Sequence, residues 1–237
     1  MITLPIAGTA EAYTVQPTKI IALGLNYREH IAESQSVKVQ GFDQDLPSEP
    51  VLFPKTPNCL IAPEQEIVLP KIIERYGFET PRTDYEGELA LIISQSCRNI
   101  TRTDAYDYVY GFTCMNDVSQ RNVQNGDRSG WFRGKSFDTF GPIGPRIVPL
   151  GMIGDPQRLA IETRLNGVVM QKATTADMIF PIDVTIAFIS ENFTLEAGDI
   201  ILTGTPAGVG PLSPGDVVEV EIERIGTLRN RVARQSR

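Results

Sequence analysis

The stretch TDYEGELALII, residues 83–93, sets two glutamates one glycine apart at the head of an apolar run. Along a β-strand successive side chains point to opposite faces, so Glu86 and Glu88 look the same way, together with Ala90 and Ile92. On a covered face two like charges side by side disfavour each other's ionisation, and something positive has to lie between them. The next strand-like stretch, YDYVYGFTCMND, ends on Asp117 where a loop begins, and binding residues concentrate on such loops. A bare E-x-E pair is most often a solvated strand face. Here the run continues as LALII without further charge, the pattern of a strand buried on both faces. Glu86, Glu88 and Asp117 offer hard oxygen ligands with no His or Cys beside them, which suits Mg2+, Mn2+ or Ca2+ better than zinc.

A second constellation holds the single histidine, His30, in NYREHIAES, with Glu33 three residues on. On a helix i and i+3 meet, so Glu33 can hydrogen-bond the imidazole, fix its tautomer and raise its basicity. The segment is polar, which leaves a surface histidine and a general base as the competing readings. Two apparent nucleotide motifs fail. GWFRGKS has Ser129 where a phosphate-binding loop needs its first glycine, and FDTFGP after it is no helix start. LTGTPAGVG is interrupted by proline with no helix behind it, so it is either a flexible turn or a backbone wall close to a ligand.

The elements that must position these residues are mostly short strands. KIIALGL reads as a buried strand, followed by a short helix with Asn26 as its N-cap. Residues 35–50 are a long polar loop of the kind that forms a lid or binding segment, and the four prolines of VLFPKTPNCLIAPEQEIVLP allow extended pieces but no helix. GKSFDTFGPIGPRIV reads as a strand broken by Gly and Pro. Alternation on either side of Asn166-Gly167 predicts a hairpin with a type I′ turn. Ile182, Ile186, Ile189 and Phe193 have helical spacing behind Pro181, the best helix in the chain. GDIILTGTPAGVG and GDVVEVEIERIGTL are strands, the second alternating Val218, Val220 and Ile222 against glutamates. With 17 prolines and 20 glycines, the sum is a β-rich α+β fold of layered or rolled sheets with no linker at which to divide it.

Composition bounds the function. At 237 residues core size is not limiting, and a net charge of −7 argues against nucleic acid as a main partner. Cys59, Cys97 and Cys114 have no C-x-x-C spacing and read as reduced thiols. The N-terminus lacks the pattern of a signal peptide, and the expectation is a cytoplasmic protein.

Seven segments in order, among them LGLNYREHIAES, EPVLFPKTPNCLIAP, DYEGELALII, YVYGFTCMNDVSQRNVQ, GKSFDTFGPIGP and LEAGDIILTGTPAGVG, resemble the fumarylacetoacetate hydrolase family, closest to its short bacterial and acylpyruvate hydrolase-like members. The resemblance implies a mixed β-sandwich roll as one catalytic domain over 1–237, with 1–18 as an extension and 30–50 as a lid, usually in a homodimer. It implies Mg2+, with Mn2+ or Ca2+ possible, held by Glu86, Glu88 and Asp117. It further implies a water-activating His30–Glu33 dyad, Lys135 stabilising developing negative charge, and Arg121, Gln124 and Thr205 contacting a 2-oxo acid. The implied activity is metal-dependent cleavage of a C–C bond in an acylpyruvate or fumarylpyruvate. The alternatives within the family are oxaloacetate decarboxylation or tautomerisation and a dienedioate isomerisation in aromatic catabolism. Outside it stands a Ca2+-stabilised β-sandwich binding module, which would need exposed aromatic platforms, and Trp131 is the chain's sole tryptophan. The segment 75–83 looks like an insert beside the pocket.

Overall fold

The computed structural model describes residues 1–33, 46–126 and 131–236. Residues 34–45, the middle of the expected lid, lie outside the described residues.

The largest sheet has seven strands in the order Val51–Lys55, Ile20–Gly24, Ile200–Leu202, Gly87–Ile93, Val109–Asn116, Gly141–Pro149 and Leu60–Ile61. It is mixed, since Ile200–Leu202 runs parallel to Ile20–Gly24 and antiparallel to Gly87–Ile93. A second sheet of five strands has the order Val168–Thr174, Ala160–Leu165, Val217–Ile222, Gly226–Arg234 and Glu66–Leu69. This is the curled, strand-rich α+β architecture that the turn residues predict.

Every residue of Gly87–Ile93 is buried, and its alternation sorts the two faces. Leu89, Leu91 and Ile93 enter one apolar cluster with Ile161, Val220 and Ile222 of the second sheet and with Ile182, Ile186 and Ile189 of the helix Ile182–Asn192. Ala90 and Ile92 enter the other, with Ile20, Phe53, Met115 and Trp131. Burying Leu89, Leu91, Ile92 and Ile93 contributes roughly 1.5–3 kcal/mol each, which offsets the several kcal/mol that each buried charge on the same strand costs.

The glycine between the two glutamates has a steric reason. A Cβ on Gly87 would fall 2.1 Å from Thr163 Oγ1 and 3.2 Å from Val220 Cγ1, so the second sheet packs where a side chain would stand. Gly87 N also donates to Gln171 Oε1 of that sheet (3.0 Å). The chain changes sheets at Glu86. Thr83–Tyr85 belongs to a three-stranded sheet with Ser119–Gln120 and Gly210–Pro211, and Gly87 opens the seven-stranded one.

Several local expectations hold. The hairpin joins Ala160–Leu165 to Val168–Thr174, with Asn166 and Gly167 at φ 52° and 79° as a type I′ turn requires. Pro181 caps the helix Ile182–Asn192, and all three cysteines are buried and free. Others need correction. Asn26 caps no helix: its side chain accepts from Phe180 N (2.7 Å) and donates to Thr203 O (2.8 Å), tying three loops together. The GKS end of GKSFDTFGPIGPRIV is not strand, because Phe132–Lys135 is a helical turn and the strand starts at Gly141. Phe193 is 46% exposed and leaves the apolar stripe at the helix end. Among the described residues no helix is long and apolar enough to cross a membrane.

Gly87→Ala is expected to destabilise the protein by about 1–3 kcal/mol through overpacking. Adding Thr163→Ala, which removes the nearest atom, should recover most of the loss in a denaturant melt.

Candidate active site

Strand ends and one loop bring the acidic residues together. Glu86 and Glu88 flank Gly87, and Asp117 follows the strand Val109–Asn116, whose Asn116 lies opposite Gly87 in the ladder. Asp117 N donates to Glu86 O (2.8 Å) and Glu86 N donates to Asn116 Oδ1 (2.9 Å), which locks the two strand ends together. Glu86, Glu88 and Asp117 each place one carboxylate oxygen within 4.8 Å of the others, and all are buried.

Cations surround two of the three acids. Lys135 Nζ donates to Glu86 Oε2 (2.5 Å) and Asp117 Oδ2 (2.6 Å). Lys55 Nζ pairs with Asp117 Oδ1 at 2.7 Å and also donates to the Lys135 carbonyl. Arg121 donates to Glu86 Oε1 and, at 2.8 Å, to Asp84 Oδ2, whose other oxygen accepts from Arg82 (2.7 Å). Burial opposes the charge of Glu86, but Arg121 and then Lys135 outweigh it and hold the carboxyl well below its ordinary range. Burial would likewise discharge Lys135, and Asp117 and Glu86 reverse that and keep it an ammonium.

Glu88 differs. It accepts one hydrogen bond from Gly204 N (2.7 Å), and among the described residues no side chain forms an ion pair with it. Burial first, then Asp117 and Glu86, push its carboxyl well above the usual value. A site of three convergent hard oxygens, one of them short of positive charge, fits a divalent cation. Glu86, Glu88 and Asp117 are the residues that would hold it.

The dyad stands over the same pocket. His30, on the helix Arg28–Glu33, has Nδ1 3.2 Å from Glu33 Oε1. That oxygen also accepts from Gly208 N (2.8 Å). Burial works against the Glu33 charge, and the bonds from His30 and Gly208 more than compensate, lowering its pKa. LTGTPAGVG is therefore a backbone wall: Gly204 steadies Glu88, and Gly208 steadies Glu33. Its Thr205 donates to Gly87 O (2.9 Å) and accepts from Gln171 Nε2 (2.8 Å).

His30, Glu86, Glu88, Arg121, Gln124, Lys135 and Thr205 line one pocket. Gln124 accepts from Arg121 Nη1 (3.0 Å), so the helix Arg121–Gly126 presents the two as a unit. Segment 75–83 braces that helix, with Arg121 N on Arg82 O (2.8 Å) and Arg82 N on Asn122 Oδ1 (2.8 Å).

Asp84, Lys55 and Gln171 escape the sequence reading. Asp84 continues the period-two run with Glu86 and Glu88, a signal that was available. Lys55 shares a strand face with Phe53, both buried, and a lysine on an apolar strand face is the mark that would have found it. Gln171 faces the site across the fold, and no local spacing announces it.

Residues 19–233 match the model of the fumarylacetoacetate (FAA) hydrolase C-terminal family, and the chain belongs to that family. Over 225 residues it is 40% identical to the oxaloacetate tautomerase YisK of Bacillus subtilis, covering 92% of this chain and 70% of that one. Among solved structures it is similar to a 5-carboxymethyl-2-hydroxymuconate delta-isomerase from Mycobacterium smegmatis, with TM-score 0.81, 34% identity and coverage of 97% and 87% of the two chains. It is also similar to a maleylpyruvate hydrolase from Sphingobium sp. SYK-6 in complex with manganese (II) ion and pyruvate, with TM-score 0.77, 33% identity and coverage of 94% and 73%. These relatives are enzymes, which sets the binding-module reading aside. Trp131, 8% exposed, is no surface platform either.

Two substitutions probe the charge balance. Glu88→Gln removes an unpaired buried acid and keeps the acceptor for Gly204, so without metal it should leave stability unchanged or raise it by about 1–2 kcal/mol. Saturating Mg2+ should stabilise the native protein by about 2.7 kcal/mol at a hundredfold excess over Kd and the variant by little, read as thermal midpoints with and without EDTA. Lys55→Met strands one oxygen of buried Asp117 and should cost about 3–5 kcal/mol in the absence of metal. Added Mg2+ should recover part of that loss in the same melts.

Proposed function

We propose that this protein is a divalent-metal-dependent enzyme of enol chemistry on small 2-oxo acids, with oxaloacetate tautomerisation as its first reading. The observation that supports it most is that His30, hydrogen-bonded to Glu33, lines one pocket with Glu86 and Glu88 of the buried three-carboxylate cluster. The cation, Mg2+ or Mn2+, would supply Lewis acidity toward the carboxylate and 2-oxo oxygens of the substrate.

The chain's own residues account for the remainder. Arg121 and Gln124 offer donors for a substrate carboxylate. With Nδ1 turned to Glu33, the His30 ring has Nε2 to accept a proton from C3, and Glu33 steadies the imidazolium. The same proton balance returns a proton at the C2 oxygen, so the keto and enol forms interconvert with no heavy-atom bond broken. Lys135 supplies a nearby positive charge for the oxygen on which negative charge develops.

A second reading, hydrolysis of an acylpyruvate, has its own support in the maleylpyruvate hydrolase relative that carries manganese and pyruvate. There His30 would take its proton from water, hydroxide would add to the distal carbonyl, and the C–C bond to the pyruvyl carbon would break to give a carboxylate and pyruvate.

The test is purified protein with Mg2+, monitored for loss of enol absorbance from oxaloacetate and, separately, for pyruvate release from acylpyruvates. His30→Asn should lower the operative rate about 10²–10⁴-fold. Enol loss without pyruvate release supports the tautomerase, and pyruvate release supports the hydrolase. Activity that survives EDTA undiminished contradicts both.

A further inference from the structure

The strand that carries Glu88 runs past the end of its neighbour. Leu202, opposite Ala90, is the last residue of Ile200–Leu202 in the ladder, and Thr203 N donates to Leu89 O (3.1 Å) just beyond it. In an antiparallel ladder alternate residues turn their backbone groups to the same side, so the N–H and C=O of Gly87 face the stretch where that neighbour has stopped. Buried backbone groups have to be paired, and here side chains do it. Gly87 N donates to Gln171 Oε1 (3.0 Å), Gly87 O accepts from Thr205 Oγ1 (2.9 Å), and Thr205 Oγ1 accepts from Gln171 Nε2 (2.8 Å). The three bonds close a ring on Gly87, the residue between two of the carboxylates.

Gln171 reaches this place because its strand is irregular. In the hairpin ladder Gln171 stands opposite Thr163 and Val169 opposite Arg164, which leaves Met170 as the extra residue of a β-bulge. A bulge re-aims a side chain: Val168, Val169 and Met170 are exposed and Gln171 is completely buried. Gln171 Nε2 donates to Pro206 O as well (2.8 Å). The amide thus grips the loop between Gly204, whose N–H holds Glu88, and Gly208, whose N–H holds Glu33. The bulge also backs the far end of that loop, since a Cβ on Gly208 would fall 2.0 Å from Met170 O. Every hydrogen bond of the Gln171 side chain therefore ends on a segment that holds a carboxylate of the site.

We infer that Gln171 is a positioning residue that sets the cation affinity of the carboxylate cluster and the alignment of the His30–Glu33 pair together, by holding Gly87 on one side and the loop 204–208 on the other. Without its amide Gly87 N loses an acceptor and the loop loses its anchor. Glu88 and Glu33 then lose, in one step, the fixed N–H that each accepts from. The inference rests on the reading of Glu86, Glu88 and Asp117 as a divalent-cation site.

His30 is the chain's one histidine, so protein labelled with 15N-histidine gives a single imidazole spectrum. Mg2+ is titrated by calorimetry into native protein, Gln171→Met and Ser190→Ala, and the His30 spectrum of each is recorded in saturating Mg2+. Ser190, equally buried on the helix Ile182–Asn192, accepts from Ile100 N (3.0 Å) and controls for loss of a buried polar group away from the site. Gln171→Met, close to glutamine in size but without its amide, should weaken Mg2+ binding about 10-fold or more and shift the ring-nitrogen resonances of His30. Ser190→Ala should change neither. Movement of only one readout in Gln171→Met, of neither, or equal effects in Ser190→Ala overturns the inference. Native protein that takes up no Mg2+ overturns the metal-site reading instead. If Gln171→Met does not fold, Gln171→Glu takes its place, because it keeps the acceptor for Gly87 N and deletes both donors to the loop. It is read by the His30 spectrum alone: shifted ring nitrogens support the inference and a native spectrum overturns it.

Discussion

The organising constraint is the burial of three carboxylates where two neighbouring strands end. Glu86, Glu88 and Asp117 sit at 3%, 1% and 0% exposure, where an isolated anion is too costly to keep. Lys55, Lys135 and Arg121 make the arrangement tolerable for two of the acids. Each arrives from a different element: the edge strand Val51–Lys55, the turn Phe132–Lys135 and the helix Arg121–Gly126. The chain must close around this cluster for the charges to meet, so the cluster and the fold specify each other.

The residual imbalance at Glu88 is what leaves the buried network with a claim on a cation. A fully paired cluster has no claim on a cation, whereas a carboxylate with a single backbone donor and two acidic neighbours does. Lys135 lies between Glu86 and Asp117, whereas the sequence argument reserved positive charge for the space between Glu86 and Glu88, where no side-chain cation among the described residues pairs with Glu88. A bound dication and Lys135 would share those two acids, which ties the charge of the lysine to the state of the site.

Much of this was legible in the sequence because it is local. Period-two alternation put Glu86 and Glu88 on the face of Ala90 and Ile92, and the i,i+3 spacing paired His30 with Glu33. Asn-Gly set the hairpin. What escaped is non-local. The reason for Gly87 is Thr163, on another sheet, and one of the two lysines paired with Asp117 is Lys55, more than sixty positions earlier in the sequence. Asn26 looked like a helix cap because the polar run NYREHIAES follows it, yet the helix begins only at Arg28 and tertiary contacts to Phe180 and Thr203 claimed its side chain. Short helical turns such as Phe132–Lys135 carry too little periodicity to be separated from a broken strand.

Location of the cation tests the central claim most directly. Crystals grown with Mn2+ and measured at the manganese edge should give an anomalous peak coordinated by Glu86, Glu88 and Asp117. A fully occupied peak elsewhere, or saturating Mn2+ that leaves the three carboxylates bridged only by Lys135, would contradict the account.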